Sequence, residues 1–323
     1  MSQRPSSSFY RKQDRATVYS VKSEQPLLLF LQEGVGTSRT TAKQWLQHRQ
    51  VSVNGTVQTR HDIALKAGDQ VQIRHGQAAA ELKHPKLKPV YEDEYLMVVE
   101  KKEGLLTVPT QAGSSETTVY SILRAFVRKQ NPRNGVFVVH RLDRETSGLL
   151  VFAKSSELQH MMREHWREIV TRRTYVAVTE GVFEKTEGQV KSWFTEDKKH
   201  AMVYSSPVDD GGAPAVTNYK VLRASSPRET ETGQTMRYSL VELHLQTGRT
   251  NQIRVHMTSL GHPVVGDRKY GHGNSWSPVN RLCLHARVLE FKHPVTGQVL
   301  HFRTPVPKAF LALTKEDEIA KQM

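Results

Sequence analysis

The chain has 323 residues, 37% hydrophobic and 24% charged, and its 46 Lys and Arg against 32 Asp and Glu leave a formal charge of +14. That length accommodates one large domain and one small one with a substantial core, and no apolar run approaches the roughly 20 residues of a bilayer-spanning helix. A single cysteine, Cys283, excludes an intrachain disulfide and fits a reducing cytoplasm, while the excess of positive charge favours a polyanionic partner, nucleic acid first.

The opening stretch MSQRPSSSFYRKQDRA is polar, basic and Ser-rich, without the basic patch and apolar block of a signal peptide. Residues 1–24 are expected to form a flexible basic segment. From Leu27 the pattern reads as helix, turn, helix, then a small sheet, with Thr37 or Ser38 placed to cap the second helix. VSVNGTVQ alternates around Asn54-Gly55, a strong hairpin signal, and DQVQIR follows as a last strand. This small domain is expected over residues 25–76. Arg39 and Lys43 lie four apart and share a helix face, with Arg49 just beyond its end. Such a basic edge is either a solvated face or a docking surface.

GQAAAELKHPKLKPV breaks the periodicity with two prolines and several lysines, so residues 77–89 read as a linker. Beyond it, residues 90–315 hold many short apolar runs, among them YLMVVEK, VFVVH, GLLVFAK and YSLVELHL. Helical stretches intervene at Thr117 to Arg128 and Ser156 to Ile169. Strands beside strands with occasional helices predict an α+β domain on a mixed, mostly antiparallel sheet.

VVHRLDRETSGLLVFAK carries the most pointed chemistry. Arg141 to Ser147 form a polar loop held at both ends by apolar strands, so Asp143 is presented on a rigid scaffold. Arg141 and Arg144 supply positive charge that favours the ionised carboxylate. A hairpin-capping Asp paired with a neighbouring Arg is the bland alternative. His140, Asp143 and Ser147 suggest a hydrolytic triad, but triad members normally come from separate elements and no GxSxG turn accompanies them. His160 and His165 are five apart, off the i, i+4 spacing of a helical metal pair, and Cys283 has no partner, so no metal is expected.

Two resemblances join these pieces. Ser38, Arg39, Lys43 and VSVNG match the signature of the S4 RNA-binding domain, a small α/β (αL-like) module. The match implies binding of structured RNA through Arg39, Lys43, Arg49 and Asn54, mostly by phosphate contacts that position rather than specify. The string His140 to Gly148 resembles the HRLDxxTSG motif of the RluA family of pseudouridine synthases. RRTYVAVTEG resembles the segment with that family's active-site tyrosine, here Tyr175, and LQTGRTNQIRVHMTSLGHPVVGDRKYG resembles its third motif, whose arginine, here Arg254, would pair with Asp143. The resemblance spans roughly Leu87 to Pro307. Three departures stand out: Arg173-Thr174-Tyr175 in place of Lys-x-Tyr, Asn251 where His is common, and Lys102 in the proline position of Lys-Pro-x-Gly.

The resemblance implies an RNA pseudouridine synthase with Asp143, Tyr175 and Arg254 as catalytic residues. His140, Arg141, Arg144, Thr146, Arg249, Gln252 and Leu284 are the implied substrate-binding set. Large-subunit ribosomal RNA is the preferred substrate, with transfer RNA open, and a monomer is the default. The reaction moves the glycosidic bond from N1 to C5 with no net redox change, so no cofactor is expected, and the target uridine must leave its stack. Two other classes remain in view: an RNA-binding assembly factor on the same fold, and a Ser-His-Asp hydrolase.

Overall fold

The computed structural model describes residues 16–47, 49–74, 82–111, 114–197, 199–229, 233, 235–271 and 278–315. The N-terminal unit runs β1 (Ala16–Ser20), β2 (Gln25–Pro26), α1 (Leu27–Leu29), a π turn (Phe30–Gly34), α2 (Arg39–Gln47), β3 (Val51–Val53), β4 (Thr56–Val57), β5 (Ala64–Leu65) and β6 (Gln70–Arg74). Four strands form one sheet in the order β1-β6-β3-β4. Ser38 is the residue that caps α2: its Oγ accepts the Thr41 amide at 3.1 Å. Asn54 and Gly55 both take positive φ, 50° and 79°, as the two-residue hairpin turn demands. Leu27, Leu31, Ala42, Leu46, Val71 and Ile73 are wholly or almost wholly buried in the core of this unit.

The sequence reading differs here at two places. Ala16–Ser20, grouped above with the flexible segment, pairs along its length with β6, and Val21 behind it is buried. A short edge strand of mixed composition carries little sequence signal, and pairing decides it. Residues 1–15, 48 and 75–81, which include most of the basic leader, the expected helix end and part of the linker, lie outside the described residues. The rest of the linker is packed, since Leu82 and Leu87 join the core of the larger unit.

That unit begins with β7 (Leu87–Glu92), β8 (Leu96–Lys101), α3 (Val119–Gln130), β9 (Phe137–Val138), β10 (Ser147–Ala153), α4 (Ser156–Glu164), α5 (Trp166–Ile169) and β11 (Val170–Glu180). It continues with β12 (Glu187–Asp197), β13 (Met202–Ser206), β14 (Ala213–Ala224), β15 (Arg228–Glu229), β16 (Thr235–Met236), β17 (Tyr238–Leu245), α6 (Gln252–Ser259), β18 (Leu284–Lys292), β19 (Val299–Arg303) and α7 (Lys308–Leu313). Eleven strands make one sheet in the order β13-β12-β14-β17-β11-β18-β10-β8-β7, with β9 on β10 and β19 on β18. Among the described strands β10 and β18 form the only parallel pair, so the α+β, mostly antiparallel expectation holds.

β10 has β8 on one side and β18 on the other, and all seven of its residues are buried, which is why SGLLVFA reads as a continuous run rather than an alternation. Leu150 and Phe152 face the core beneath α3, while Leu149 and Val151 face the one beneath α4. Thr118 and Ser121 close a reciprocal capping box at the start of α3. The expected helix Ser156 to Ile169 is broken at His165 into α4 and α5.

Candidate active site

The loop between β9 and β10 carries Asp143, and its backbone is tied down on several sides. The Thr107 hydroxyl, buried, donates to the Leu142 carbonyl at 2.7 Å and accepts the Leu142 amide at 3.1 Å. The Thr146 amide donates to the Asp143 carbonyl at 3.2 Å. The Arg144 carbonyl accepts from the Gly104 amide at 2.8 Å and from Lys101 Nζ at 3.0 Å. Lys101 is itself fully buried, and burial lowers its ammonium to about 8 against the pull of Glu145, Asp143 and Glu103. Gly148 follows the loop with φ 121°, and a Cβ there would stand 2.2 Å from the Ala286 carbonyl oxygen. Only glycine lets β10 cross β18 this closely.

Asp143 keeps its side chain 31% exposed and opens onto a pocket of about 170 Å3. Arg141, Thr146, Tyr175, Arg249, Gln252 and Leu284 line that pocket with Arg254, although they come from the loop, β11, the turn after β17, α6 and β18. Arg254 Nη1 is 4.0 Å from Asp143 Oδ2, an ion pair without a hydrogen bond. Tyr175 packs against the cores on both sides of the site, and burial raises its hydroxyl above the usual tyrosine range; the charge of Arg173 opposes this and that of Asp143 adds to it.

Gln252 is buried and saturated. Its Nε2 donates to Val216 O and Thr217 Oγ1 at 3.0 and 2.9 Å, and its Oε1 accepts from Thr247 Oγ1 and the Arg249 amide at 2.7 and 2.9 Å. It therefore shapes the turn that presents Arg249, whose Nε is bonded to the Pro214 carbonyl at 3.1 Å.

Other expected contacts stand apart from the pocket. His140 turns inward: Nε2 accepts the Val151 amide at 3.1 Å, the ring lies 4.9 Å from that of Trp166, and burial depresses its basicity to about 3. It anchors the loop to β10 as a neutral ring. Arg144 pairs with Glu116 at 2.6 Å. In the N-terminal unit Arg39 and Lys43 are exposed on α2, flanking the stripe of buried Ala42 and Leu46 one turn on from each. Arg49 reaches instead to Glu92 of the larger unit at 3.6 Å, and the Asn54 side chain bonds Asp69 and the Gln70 amide, each at 2.8 Å. Both serve the frame of the molecule.

Asp267 was not singled out from the sequence. It lies inside the third motif, wholly buried, and takes Arg254 Nε and Nη2 at 2.7 and 2.6 Å. Burial works against its ionisation, but these bonds and the Lys269 and Tyr270 amides outweigh it and hold its carboxyl below the usual range. An acid placed directly after an apolar run and a glycine, in PVVGD, is the signal that could have marked it. Among the described residues no three His, Cys, Asp or Glu side chains gather as a metal site.

A family model described as RNA pseudouridylate synthase matches residues 95–259, and an S4 domain model matches residues 25–71. The protein named uncharacterized RNA pseudouridine synthase YhcT, of Bacillus subtilis (strain 168), is 32% identical over 299 residues, covering 92% of this chain and 91% of its own. Ribosomal large subunit pseudouridine synthase D of Nitrosomonas europaea is 33% identical over 288 residues, covering 85% and 79%. The solved structure of human RNA Pseudouridylate Synthase Domain Containing 1 superposes with a TM-score of 0.54 at 26% identity, over 71% of this chain and 86% of that one.

Proposed function

This chain belongs to the RNA pseudouridylate synthase family and carries an S4 domain, and within that frame we propose that Asp143 is the reacting carboxylate, with Tyr175 and Arg254 beside it. The reaction is an isomerisation of uridine in RNA. The N1 to C1′ bond breaks, the uracil turns, C5 bonds to C1′, and the C5 proton is lost while N1 gains one. Atoms and charge balance without a cofactor.

The observation that carries the reading is the meeting of Asp143, Tyr175 and Arg254 at one pocket from three distant parts of the chain. An ionised carboxylate there can attack C1′ or remove the C2′ proton, and either route needs it charged, aimed and open to the ribose. Arg254 supplies the charge at 4.0 Å. Tyr175 offers a ring face to a uracil taken out of its stack and a hydroxyl kept protonated by its surroundings. Arg141, exposed at the rim, and Arg249 are placed to meet phosphates next to the target.

Large-subunit ribosomal RNA is the proposed substrate, on the strength of relatives named for it. Arg39 and Lys43 of the S4 unit form the proposed docking edge, and the cytoplasm, where such RNA resides, is the proposed site of action. The test is pseudouridine mapping of RNA from cells lacking the protein, rescued with wild type or with Asp143→Asn. Sites that return only with wild type support the activity and identify the substrate. Equal rescue by the variant removes Asp143 from the chemistry.

A further inference from the structure

We infer that Asp267 and Asn251 position Arg254 so that its charge acts on Asp143 while its hydrogen bonds go elsewhere. The inference rests on Asp143 as the reacting carboxylate. Arg254 presents a planar fork of donors, and each nitrogen has a partner other than Asp143. Nε and Nη2 grip Asp267 at 2.7 and 2.6 Å, the two-point geometry that fixes a guanidinium in plane. Nη1, the nitrogen facing Asp143, donates to Asn251 Oδ1 at 2.9 Å.

The cage around these groups is stiff. Asp267 Oδ1 also accepts the Lys269 and Tyr270 amides at 2.9 and 3.0 Å, so it cannot swing with Arg254. Asn251 stands at the N-cap position of α6 with φ 54° but spends its side chain on this cage, its Nδ2 donating to the Tyr270 hydroxyl at 3.1 Å. That hydroxyl also accepts the Val203 amide at 3.1 Å, and the guanidinium carbon lies 5.1 Å over the Tyr270 ring. Arg254 is thus bonded on two sides and stacked on a third.

The consequence is chemical. A carboxylate gripped by an arginine fork has its lone pairs occupied, and it is a poorer nucleophile and base for it. Here Asp267 takes the grip, and Asp143 receives the charge from 4.0 Å with its oxygens open to the ribose. The resemblance pairs Arg254 with Asp143; the geometry makes that pair a loose one, held loose by a second acid. The other charged or titratable groups near Asp143 are Tyr175 on β11, Lys101 on β8, Arg249 in the turn after β17, and Arg141, Arg144 and Glu145 in its own loop.

The experiment compares wild type, Asp267→Asn, Asn251→Ala and Asp143→Asn on unmodified large-subunit ribosomal RNA labelled with tritium at uracil C5, following tritium release across pH. Asp267→Asn frees the fork to close on Asp143, so kcat is expected to fall about 100-fold with KM little changed. The acid limb of kcat/KM should move to lower pH, because a gripped carboxylate is harder to protonate. Asn251→Ala, at a half-buried position, releases only Nη1 and should shift the limb the same way by less; it decides the matter alone if Asp267→Asn does not fold. An acid limb left in place by the folded variants, whatever their kcat, would mean that Asp267 and Asn251 merely support the fold. Normal turnover by Asp143→Asn would instead sink the reading of Asp143 itself.

Discussion

Ser147 Oγ and His285 Nδ1 lie 2.7 Å apart, joining the end of the Asp143 loop to β18 where the two strands run parallel. Arg281 Nη2 donates to the same hydroxyl at 2.8 Å, and His285 Nε2 meets Thr304 Oγ1 at 2.7 Å. Thr304 in turn donates to the Arg287 carbonyl at 3.3 Å, so Nε2 carries the ring proton and Nδ1 accepts from Ser147. This serine and histidine form a buried strut. Ser147→Ala removes a bond from Arg281 and strands a buried ring nitrogen, a loss of about 2 kcal/mol. A lower urea midpoint with retained isomerase turnover is expected, whereas loss of turnover in a fully folded variant would assign Ser147 to the chemistry.

One residue further on, the same crossing constrains the backbone. A Cβ on Gly148 would meet Ala286 O at 2.2 Å and Ala286 N at 2.6 Å, both main-chain atoms in the middle of the sheet, and φ is 121°. Neither neighbour can rotate away. Gly148→Ala should therefore cost more than about 3 kcal/mol, at the severe end of single substitutions. Thermal melting of the purified variant checks it, and a melting temperature within a few degrees of wild type would refute the close approach.

The sequence carried the fold class and the family because its signals are local and ordered. Asn54-Gly55 determines a hairpin through the backbone those two residues favour, and Ser38 caps a helix through one hydroxyl. The nine-residue string from His140 to Gly148, followed in order by the segments around Tyr175 and Arg254, carries the family in the same way. What stayed hidden depends on partners distant in the chain. Arg254 and Asp267 are 13 residues apart with a turn between them, so the motif names the arginine without revealing what holds it. Arg49 reads as one more cation beside α2 until Glu92 of the other unit meets it. His140 reads as a substrate contact because it opens the family motif, but Trp166 and the Val151 amide draw it inward.

Buried neutral histidines give the fold a predictable acid sensitivity. Burial depresses His140 and His285 to about 3 and His256 to about 4, against an ordinary value near 6.5. Between those values the unfolded chain binds protons that the folded one refuses. The stabilisation is full above the unfolded value and is lost as pH falls towards the folded values, so the urea midpoint should drop between about pH 7 and pH 4. His256 sits between the Ser192 and Thr217 hydroxyls at 2.9 and 2.8 Å, and His256→Gln can keep such bonds without a titrating ring. That variant should show a shallower pH slope; an unchanged slope would mean that His256 is not held neutral.

RNA docking separates the cations of the S4 unit by their surroundings. Arg39 and Lys43 are exposed on one helix face, whereas Arg49 is half-buried against Glu92, which also takes Lys154 Nζ at 2.9 Å. A phosphate contact releases counterions only if the side chain is available to make it. Arg39→Ala combined with Lys43→Ala should weaken binding to large-subunit ribosomal RNA and flatten the salt dependence by roughly one in slope per lost contact. Arg49→Ala should leave the slope nearly unchanged and act on the join between the two units, visible as faster amide exchange in β4 and β7. Filter binding across a salt series tests both halves. If Arg49→Ala flattens the slope as much as the α2 pair does, Arg49 leaves Glu92 for RNA, and the join seen here gives way on binding.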